Sequence, residues 1–267
     1  MTKISILGCG WLGLPLAKAL IQKGFSVNGS TTSTEKISVL ENAEIRPYLI
    51  LLDSKSVSVA IETFLQESST IIIDIPPKLR GINKENFVEK IKVLIPFIEK
   101  SSVKNVLFVS STSVYGEENH IITEESPLNP DTESGKQLVE AEQLLQSNTD
   151  FKTTVLRFGG LIGEDRHPVK FLAGRENLDN PHAPINLIHQ EDCIGIILKI
   201  IENDCWDETF NAVAPSHPSR SDYYTQKAAD FNLSLPKFNH ENASIGKTIL
   251  SDKIQTILNY TFTKPNL

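Results

Sequence analysis

The sequence has few cysteines and no long apolar run. Its three cysteines, Cys9, Cys193 and Cys205, form no close pair and no metal-ligand spacing, which is typical of a protein in a reducing compartment. No apolar stretch reaches the roughly 18 residues that a membrane span requires. Residues 1–19 resemble a signal peptide in their early lysine and apolar middle, but three glycines and a proline interrupt them. We therefore predict a cytoplasmic protein that enters no membrane and holds no metal.

Basic residues are also scarce. Lys and Arg together number 26 against 33 Asp and Glu, which gives a formal net charge of −7 over 267 residues. Proteins that bind nucleic acid need a basic surplus to displace counterions from the phosphates, so we predict no nucleic-acid partner. A small phosphorylated ligand is compatible with this charge because it needs only a local site.

Short apolar runs alternate with amphipathic stretches along the first 160 residues. Continuous apolar strands between amphipathic helices indicate a parallel sheet that is covered on both faces. The chain is therefore predicted to be an α/β protein with a Rossmann-type doubly wound sheet. We expect a dinucleotide-binding domain over residues 1–160 and a small substrate lobe, packed on it, over residues 161–267. The predicted strands are Lys3–Leu7, Phe25–Gly29, Tyr48–Leu52, Thr70–Ile75, Val103–Ser110 and Thr153–Phe158.

A G-x-G-x-x-G motif follows the first predicted strand and opens the first predicted helix. Gly8 allows the tight turn, Gly10 lets a pyrophosphate approach the backbone, and Gly13 lets the helix pack against the strand. The helix N-terminus offers free N–H groups and a positive dipole to phosphates. This context predicts a dinucleotide site in which Trp11 and Leu12 also contact the cofactor. A glycine-rich turn without a ligand is the alternative.

The residues after the second predicted strand bear on the choice between the two nicotinamide dinucleotides. An acid at this point would bind the adenosine ribose 2′-hydroxyl. The sequence instead has hydroxyl side chains and a lysine, namely Ser30, Thr31, Thr32 and Lys36. This set suits a 2′-phosphate better than a ribose diol, although it lacks the arginine that usually clamps phosphate. We therefore favour NADP over NAD as the cofactor; the alternative is helix capping, with Thr32 and Glu35 forming a capping box.

Two further residues are assigned to the cofactor site by their positions at strand ends. Asp53 ends the third predicted strand and is a candidate partner for the adenine edge; capping of the next helix is the alternative. Pro76 follows the fourth predicted strand, where with Pro77 it would stiffen the wall of the cofactor cleft.

Four later segments occur in an order that resembles the extended short-chain dehydrogenase/reductases, which include the sugar-nucleotide epimerases and dehydratases. They are S-S-T-S-V-Y-G at 110–116, P-L-N-P-D-T-E-S-G-K at 127–136, L-R-F-G-G-L-I-G at 156–163 and N-L-I-H-Q-E-D at 186–192. The resemblance covers nearly the whole chain. It implies NADP or NAD as cofactor and a small-molecule substrate or ligand, and it leaves a homodimer open.

The resemblance also implies catalytic roles. The family's catalytic serine falls on Ser111, its active-site lysine on Lys136 and its tyrosine acid/base on Thr132. A threonine hydroxyl is too weak an acid to replace a phenol that titrates near about 10. The chain therefore resembles an atypical subgroup that has lost the tyrosine. Tyr115 is a candidate substitute acid, and the alternative is an aromatic ring packed at the edge of the site.

The helix that carries Lys136 has two candidate starts. A start capped by Asn129 places Thr132 and Lys136 on one helix face. A capping box formed by Ser134 and Gln137 would instead leave Thr132 in the preceding loop.

Three side chains are candidates for contact with the substrate. Arg157 in a strand-like run suits either a substrate anion or a structural ion pair. Arg166 lies in a polar loop, where it suits a charged ligand or solvent. His189 lies in the stretch that adjoins the substrate pocket in the resembled family, and we interpret the neighbouring Asp192 as an acid of the helix start.

The sequence supports two functions. The first is an NAD(P)-dependent oxidoreductase or epimerase-like enzyme in which Ser111 orients a substrate carbonyl or hydroxyl and Lys136 binds the nicotinamide ribose. In that enzyme Thr132, Tyr115 or a water would replace the missing phenol. The second is a non-catalytic NAD(P)-binding redox sensor or regulatory protein. Ser111 and Lys136 favour the enzyme, whereas Thr132 favours the sensor.

Overall fold

The helices and strands follow the predicted alternation. The computed structural model describes residues 2–77, 85–118 and 120–267. Its strands are β1 (Lys3–Leu7), β2 (Ser26–Thr31), β3 (Arg46–Leu49), β4 (Ser68–Ile73), β5 (Asn105–Ser111), β6 (Ile121–Ile122), β7 (Lys152–Phe158), β8 (Gly160–Ile162), β9 (Leu187–His189), β10 (Thr209–Ala212) and β11 (Thr248–Ile249). Its α-helices are α1 (Gly13–Gln22), α2 (Ile37–Glu41), α3 (Ala60–Leu65), α4 (Phe87–Glu99), α5 (Glu133–Gln146), α6 (Val169–Leu172), α7 (Gln190–Glu202), α8 (Arg220–Asp230) and α9 (Asp252–Leu258).

Seven strands of the described chain form one parallel sheet in the order β10-β7-β5-β4-β1-β2-β3. The strand order runs outward from β1 in both directions, so it reverses between β1 and β4. In open α/β sheets such a reversal opens a crevice at the carboxyl ends of the two strands. The fold is the predicted Rossmann-type doubly wound sheet, and its crevice lies where β1 and β4 end.

The strands are apolar on both faces because helices cover both. Ile71 and Ile73 belong to the core cluster that contains the apolar faces of α3, α4 and α5. Ile72 belongs to the opposite cluster, with α1, α7 and α9. The period of two along β4 therefore divides one continuous apolar run between two cores.

Two predictions near the second and third strands differ from the structure. β3 begins and ends earlier than predicted, since Leu52 already pairs with Val57 outside the sheet. The capping box of Thr32 and Glu35 is wrong: a single 3₁₀ turn at Thr34–Lys36 follows Ser33, and it has no side-chain cap.

The chain beyond residue 160 serves both the sheet and a small lobe. β10 adds a seventh strand beside β7, and α7 and α9 cover one face of the sheet. A separate small core combines Ile162, Val169 and Leu187 with Tyr223 and Tyr224 of α8. The residues around this core form the small lobe, and Asn186 and Arg220 line a cavity with Ser111, at the carboxyl end of β5. In the described ranges, no helix is both long enough and apolar enough to span a bilayer.

Candidate functional site

The three motif glycines have different surroundings. A Cβ on Gly8, which has φ +111°, would lie 2.2 Å from the Asp74 carbonyl oxygen, and a Cβ on Gly13 would lie 2.2 Å from the Gly8 carbonyl oxygen. A Cβ on Gly10 would meet nothing within 4 Å. Gly8 and Gly13 therefore allow β1, α1 and the end of β4 to approach closely, whereas Gly10 leaves an open stretch of backbone that faces the crevice.

A first cavity of about 200 Å³ lies on one side of Gly10. Ser30, Thr31, Thr32 and Lys36 all line it, together with apolar side chains that include Ile50, Leu52 and Ile75, and with Asp74, Pro76 and Lys90. This is the predicted cofactor wall.

Two of the hydroxyls in this wall are already engaged with the backbone. Ser30 Oγ accepts a hydrogen bond from the Gly8 N–H at 2.8 Å, and Thr31 Oγ1 accepts one from the Ser33 N–H at 3.1 Å. Thr32 and Lys36 are exposed at the rim. The hydroxyl cluster therefore shapes the loop as much as it lines the cavity.

Asp53 does not line the first cavity. Its exposed carboxylate accepts hydrogen bonds from the backbone N–H groups of Lys55 at 2.7 Å and Ser56 at 2.9 Å. These hydrogen bonds hold the pKa of Asp53 below its usual value. The side chain stabilises a loop turn and does not cap the next helix, which begins at Ala60 with Val59 as its N-cap.

A second cavity of about 390 Å³ also reaches Gly10, and a third of about 770 Å³ lies beside Ser111, Asn186 and Arg220. The second is lined by Gly10, Trp11, Leu12, Asp74, Pro76, Leu138 and Arg166, among others. The third is lined by Ser113, Glu117, Asn186, Arg220 and Lys247, among others. Ser111, at the end of β5, lines both. A ligand in the second cavity and a ligand in the third would thus meet at this hydroxyl.

Thr132 and Lys136 do not line any of these three cavities. α5 begins at Glu133 with Thr132 as its N-cap, and Thr132 Oγ1 accepts a hydrogen bond from the Gly135 N–H at 3.0 Å. Neither of the two predicted helix starts is correct. Lys136 is exposed, and Leu138 two residues further on lines the second cavity. The structure therefore places Thr132 at a capping position and directs a leucine, not the predicted lysine, towards the crevice.

Tyr115 and Arg157 belong to a buried polar network. Arg157 is 5% exposed and forms an ion pair with Glu142, with Nη2 and Oε2 2.7 Å apart. Its Nη1 donates to the Tyr115 hydroxyl at 2.6 Å, and that hydroxyl donates to Asn211 Oδ1 at 2.8 Å. Burial raises the pKa of the Tyr115 phenol, although Arg157 acts in the opposite direction. Both side chains are enclosed by the core, which favours a packed ring for Tyr115 over a substitute acid, and a structural ion pair for Arg157 over a substrate ligand.

Arg166 and Trp11 join the glycine loop to the loop that follows β8. The Arg166 guanidinium lies 5.0 Å from the centre of the Trp11 ring. Trp11 Nε1 donates to Asp165 Oδ1 at 2.9 Å, and Gln190 Nε2 donates to the Trp11 carbonyl at 2.7 Å. Arg166 thus faces the second cavity, beside the glycine motif, and not the third.

His189 and Asp192 have local roles. His189 is the N-cap of α7, and its Nδ1 accepts a hydrogen bond from the Glu191 N–H at 3.3 Å. Asp192 is fully buried, and Oδ1 accepts from the Tyr260 hydroxyl at 2.8 Å and from the Thr263 N–H at 2.6 Å. None of Arg157, Arg166 and His189 lines the third cavity.

Three residues of the crevice were missed at the level of sequence. Lys247 is 5% exposed, and its Nζ donates to the Tyr115 carbonyl at 2.8 Å and to Glu117 Oε1 at 2.7 Å beside the third cavity. Arg220 lines the same cavity from the start of α8. Asp74 follows β4 and lines both the first and the second cavity. Only Asp74 had a sequence signal: it is an acid within the apolar run Thr70–Ile75.

Within the described ranges, no group of three or more His, Cys, Asp or Glu side chains is arranged to hold a metal ion. The three cysteine thiols are unpaired, and two of them are buried.

Comparison with known proteins gives a consistent result. The model of the NAD dependent epimerase/dehydratase family matches residues 4–212. Protein YeeZ of Escherichia coli strain K12 is 32% identical over 268 residues, covering 100% of this chain and 97% of that protein.

Two solved structures share the fold at lower identity. A functionally unknown conserved protein from Silicibacter pomeroyi is 20% identical with a TM-score of 0.81, covering 100% of this chain and 95% of the other. UDP-glucuronic acid 4-epimerase from Bacillus cereus, in complex with UDP-glucuronic acid and NAD, is 19% identical with a TM-score of 0.80, covering 98% and 94%.

Proposed function

Because this chain belongs to the NAD dependent epimerase/dehydratase family, we propose that it binds a nicotinamide dinucleotide across the first and second cavities and a small polar substrate in the third. The adenosine end would lie among the apolar side chains of the first cavity. The pyrophosphate would pass Gly10 at the N-terminus of α1, where N–H groups and the helix dipole favour negative charge. The nicotinamide end would then reach Ser111.

The observation that carries this proposal is the position of Ser111 on the wall of both the second and the third cavity. A hydride can pass only between reacting atoms held about 3–3.5 Å apart, so cofactor and substrate sites must share a boundary. The Ser111 hydroxyl is suited to donate a hydrogen bond to a substrate carbonyl or hydroxyl there.

The third cavity supports an anionic substrate of the sugar-nucleotide type. Its volume of about 770 Å³ lies within the usual range for ligand pockets, about 300–1,000 Å³. Arg220 and Lys247 bring two cations to its wall in a protein with a net charge of −7, and Lys247 is paired there with Glu117. The Bacillus cereus epimerase of the same fold binds UDP-glucuronic acid. A phosphorylated or carboxylated sugar derivative is therefore the proposed substrate class, with a simpler carbonyl compound as the alternative.

NAD is the proposed cofactor, although the sequence favoured NADP. That preference rested on the hydroxyl cluster, and two of its members, Ser30 and Thr31, are engaged by the backbone. Thr32 and Lys36 at the rim, with Lys90 further in, are the groups that could still accept a 2′-phosphate. Titration of the protein with NADH and with NADPH shows which of the two cofactors it binds more tightly.

A non-catalytic dinucleotide-binding protein is the second candidate. Thr132 caps a helix, Tyr115 is buried, and Lys136 is exposed and lines none of the three cavities. Among the described residues that line the three cavities, none is a tyrosine. This favours a pocket that has kept its cofactor and lost the family's proton relay.

Calorimetric titration of the full-length protein with NADH and with NADPH tests the shared part of both candidates. We expect NADH to bind with a dissociation constant below about 1 mM. If neither dinucleotide binds at that level, both candidates fail.

Assays with a panel of UDP-sugars and simple carbonyl compounds, followed by NMR, separate the enzyme from the sensor. For an enzyme, Ser111→Ala should lower turnover on the order of a hundredfold while NADH affinity is unchanged. Ser113→Ala is the matched control, because Ser113 lines the third cavity but not the second. Binding of NADH without turnover of any compound would favour the sensor.

A further inference from the structure

Asp74 occupies the point where the strand order of the sheet reverses. It follows the last residue of β4, and its N–H donates to the Leu7 carbonyl of β1 at 2.9 Å. Its carbonyl oxygen would lie 2.2 Å from a Cβ on Gly8. The backbone of Asp74 is therefore packed closely against the glycine loop.

The Asp74 side chain points at the N-terminus of α1. Its Oδ2 would lie 3.2 Å from a Cβ on Gly13, so the carboxylate lies beside the Gly13 backbone N–H. This N–H belongs to the first turn of α1, the part of a helix that binds phosphate in dinucleotide sites. The carboxylate therefore occupies part of the position that the proposed pyrophosphate would take.

Asp74 is also shared by the two cavities that a dinucleotide would span. Gly10, Asp74, Ile75 and Pro76 line both the first and the second cavity. A ligand that has its adenosine end in one and its nicotinamide end in the other must cross this boundary. The crossing brings the pyrophosphate against the Asp74 side chain.

The groups that face Asp74 do not neutralise it. Cys9 of the glycine loop and Cys193 of α7 are buried thiols, and burial raises the pKa of both, that of Cys9 to about 12, so both are uncharged. Arg166 lines the second cavity with Asp74, while Lys36 and Lys90 line the first; the amino group of Lys90 is paired with Glu85. Within the ranges that the structure describes, Asp74 forms no ion pair with any of these cations.

We propose that Asp74 is a pyrophosphate-binding residue that acts as the neutral acid. Its carboxyl O–H donates a hydrogen bond to a phosphate oxygen, so one proton is taken up when the dinucleotide binds. The inference rests on the dinucleotide site proposed above. An ionised carboxylate beside the N-terminus of α1 would repel the pyrophosphate in a site of low dielectric constant. The protonated side chain removes the repulsion and adds a donor.

The burial of Asp74 brings the pKa of its carboxyl group close to neutral pH. Burial raises the pKa of the carboxyl to about 7, opposed by the hydrogen bond from Gly13. Below about pH 6 the free protein already carries the proton, so affinity is independent of pH. Above pH 7 the proton must be taken up with the ligand, so the dissociation constant rises about tenfold for each pH unit.

The test is the pH dependence of NADH affinity in the full-length protein. Wild-type protein should bind NADH on the order of tenfold more weakly at about pH 8.5 than at about pH 7. Asp74→Asn keeps a neutral hydrogen-bond donor, so its affinity should be unchanged across this range and tighter than wild type at about pH 8.5. Asp53→Asn is the matched control: it removes an exposed carboxylate at a neighbouring strand end and should follow the wild type.

Proton uptake by the wild type gives a readout that needs no variant. Calorimetry in buffers of different ionisation enthalpy at about pH 8 should show about one proton taken up per NADH. A pH-independent wild-type affinity with no proton uptake overturns the assignment of Asp74, and so does an Asp74→Asn variant that folds but retains the wild-type slope. Absence of NADH binding at every pH is a different result, which overturns the proposed dinucleotide site itself.

Discussion

At the scale of single residues, we expect two glycines of one motif to be required for different reasons. Gly13 is enclosed by backbone, with the Gly8 carbonyl oxygen 2.2 Å from where its Cβ would be. Gly10 has empty space where its Cβ would be. One position is therefore constrained by the protein's own packing, whereas the other leaves room for the proposed dinucleotide.

Alanine at each of these positions separates the two reasons. Gly13→Ala forces a Cβ against backbone that cannot retreat, and we expect it to lower the free energy of unfolding by about 3 kcal/mol. Gly10→Ala should leave that free energy within about 0.5 kcal/mol and weaken NADH binding, because the new methyl group takes the space of the pyrophosphate. Urea denaturation and calorimetric titration measure the two effects. Equal NADH affinity in Gly10→Ala and wild type would show that no ligand approaches this backbone.

The buried network around Arg157 shows why the type of a residue and its neighbours in the sequence do not determine its role. Tyr115 follows a hydroxyl-rich strand end, which is why it was interpreted as a substitute acid. Its hydrogen-bond partner Asn211 is 96 positions away, and Arg157 is 42 positions away. Contacts over such separations are set by the register of β5, β7 and β10, which local sequence patterns do not report.

Removal of Arg157 should be far more costly than removal of the phenol. Arg157→Leu leaves the buried Glu142 carboxylate unpaired and should destabilise the fold by about 3–5 kcal/mol. Tyr115→Phe loses one hydroxyl from the network and should cost about 1–2 kcal/mol without a change in NADH affinity. Urea denaturation measures both. The double variant Arg157→Leu/Glu142→Leu is the control, since removing both charges should recover much of the loss; a catalytic role for Tyr115 would instead appear as lost turnover in a stable Tyr115→Phe protein.

At the scale of elements, the start of α5 decides which side chains reach the crevice. The predicted starts differed from the observed one because several residues between Asn129 and Ser134 are good capping residues. Thr132 takes the position, with its Oγ1 3.0 Å from the Gly135 N–H. The cap fixes the helix so that Leu138 lines the second cavity and Lys136 is exposed. The spacing in the sequence predicted that Thr132 and Lys136 lie close together at the start of α5, but not which way their side chains point.

A capping role and a catalytic role for Thr132 predict different variants. Thr132→Ala should lower the free energy of unfolding by about 1 kcal/mol, while Thr132→Ser, which keeps the capping oxygen, should cost only a few tenths. Neither should alter NADH affinity. Lys136→Ala serves as the control on the same helix and should leave both quantities unchanged. A loss of turnover in Thr132→Ala at unchanged stability would contradict the capping role.

At the scale of the whole molecule, the architecture was predictable and the composition of the crevice was not. The alternation of apolar strands with amphipathic helices, and the position of Gly8 directly after β1, depend on local periodicity that the sequence displays. The third cavity instead draws Ser111 from β5, Arg220 from α8 and Lys247 from beyond α8. Its cations come from segments without a motif, so only the three-dimensional arrangement brings them together.

The later segments also tie the molecule together. Asp192 at the start of α7 holds the C-terminal segment through Tyr260, Thr263 and Lys264. His167 does the same within the small lobe: its Nδ1 accepts from the Val169 N–H at 3.2 Å, so its Nε2 proton is donated to the Tyr223 hydroxyl at 2.9 Å. His167 must be neutral to make both of its contacts.

Stability should therefore fall as the solution becomes acidic. Burial lowers the pKa of His167 from 6.5 to about 4, with smaller effects from Lys227 and Lys170 in the same direction. Between about pH 6.5 and pH 4 the unfolded chain binds a proton at this site that the folded chain does not. Unfolding is thus favoured as pH falls through this window, by on the order of 3 kcal/mol at its lower end.

Urea denaturation across this pH window measures the effect, and a His167→Asn variant isolates it. The variant keeps an acceptor near the Val169 N–H but has no titrating ring. Its stability should decline less steeply with acid than that of the wild type. Parallel pH profiles would show that His167 has an ordinary pKa in the folded protein.

The contact between Trp11 and the loop after β8 has an optical consequence. The chain has only two tryptophans, and the other, Trp206, lies near Asn105 and Lys152 at the opposite end of β5 and β7. Trp206→Phe would therefore leave a single indole, situated on the wall of the second cavity. Reduced nicotinamide absorbs in the near ultraviolet, where indole emits, so occupancy of the cleft would be recorded as energy transfer from Trp11. In the Trp206→Phe variant, the emission of Trp11 would therefore report whether the cleft is occupied.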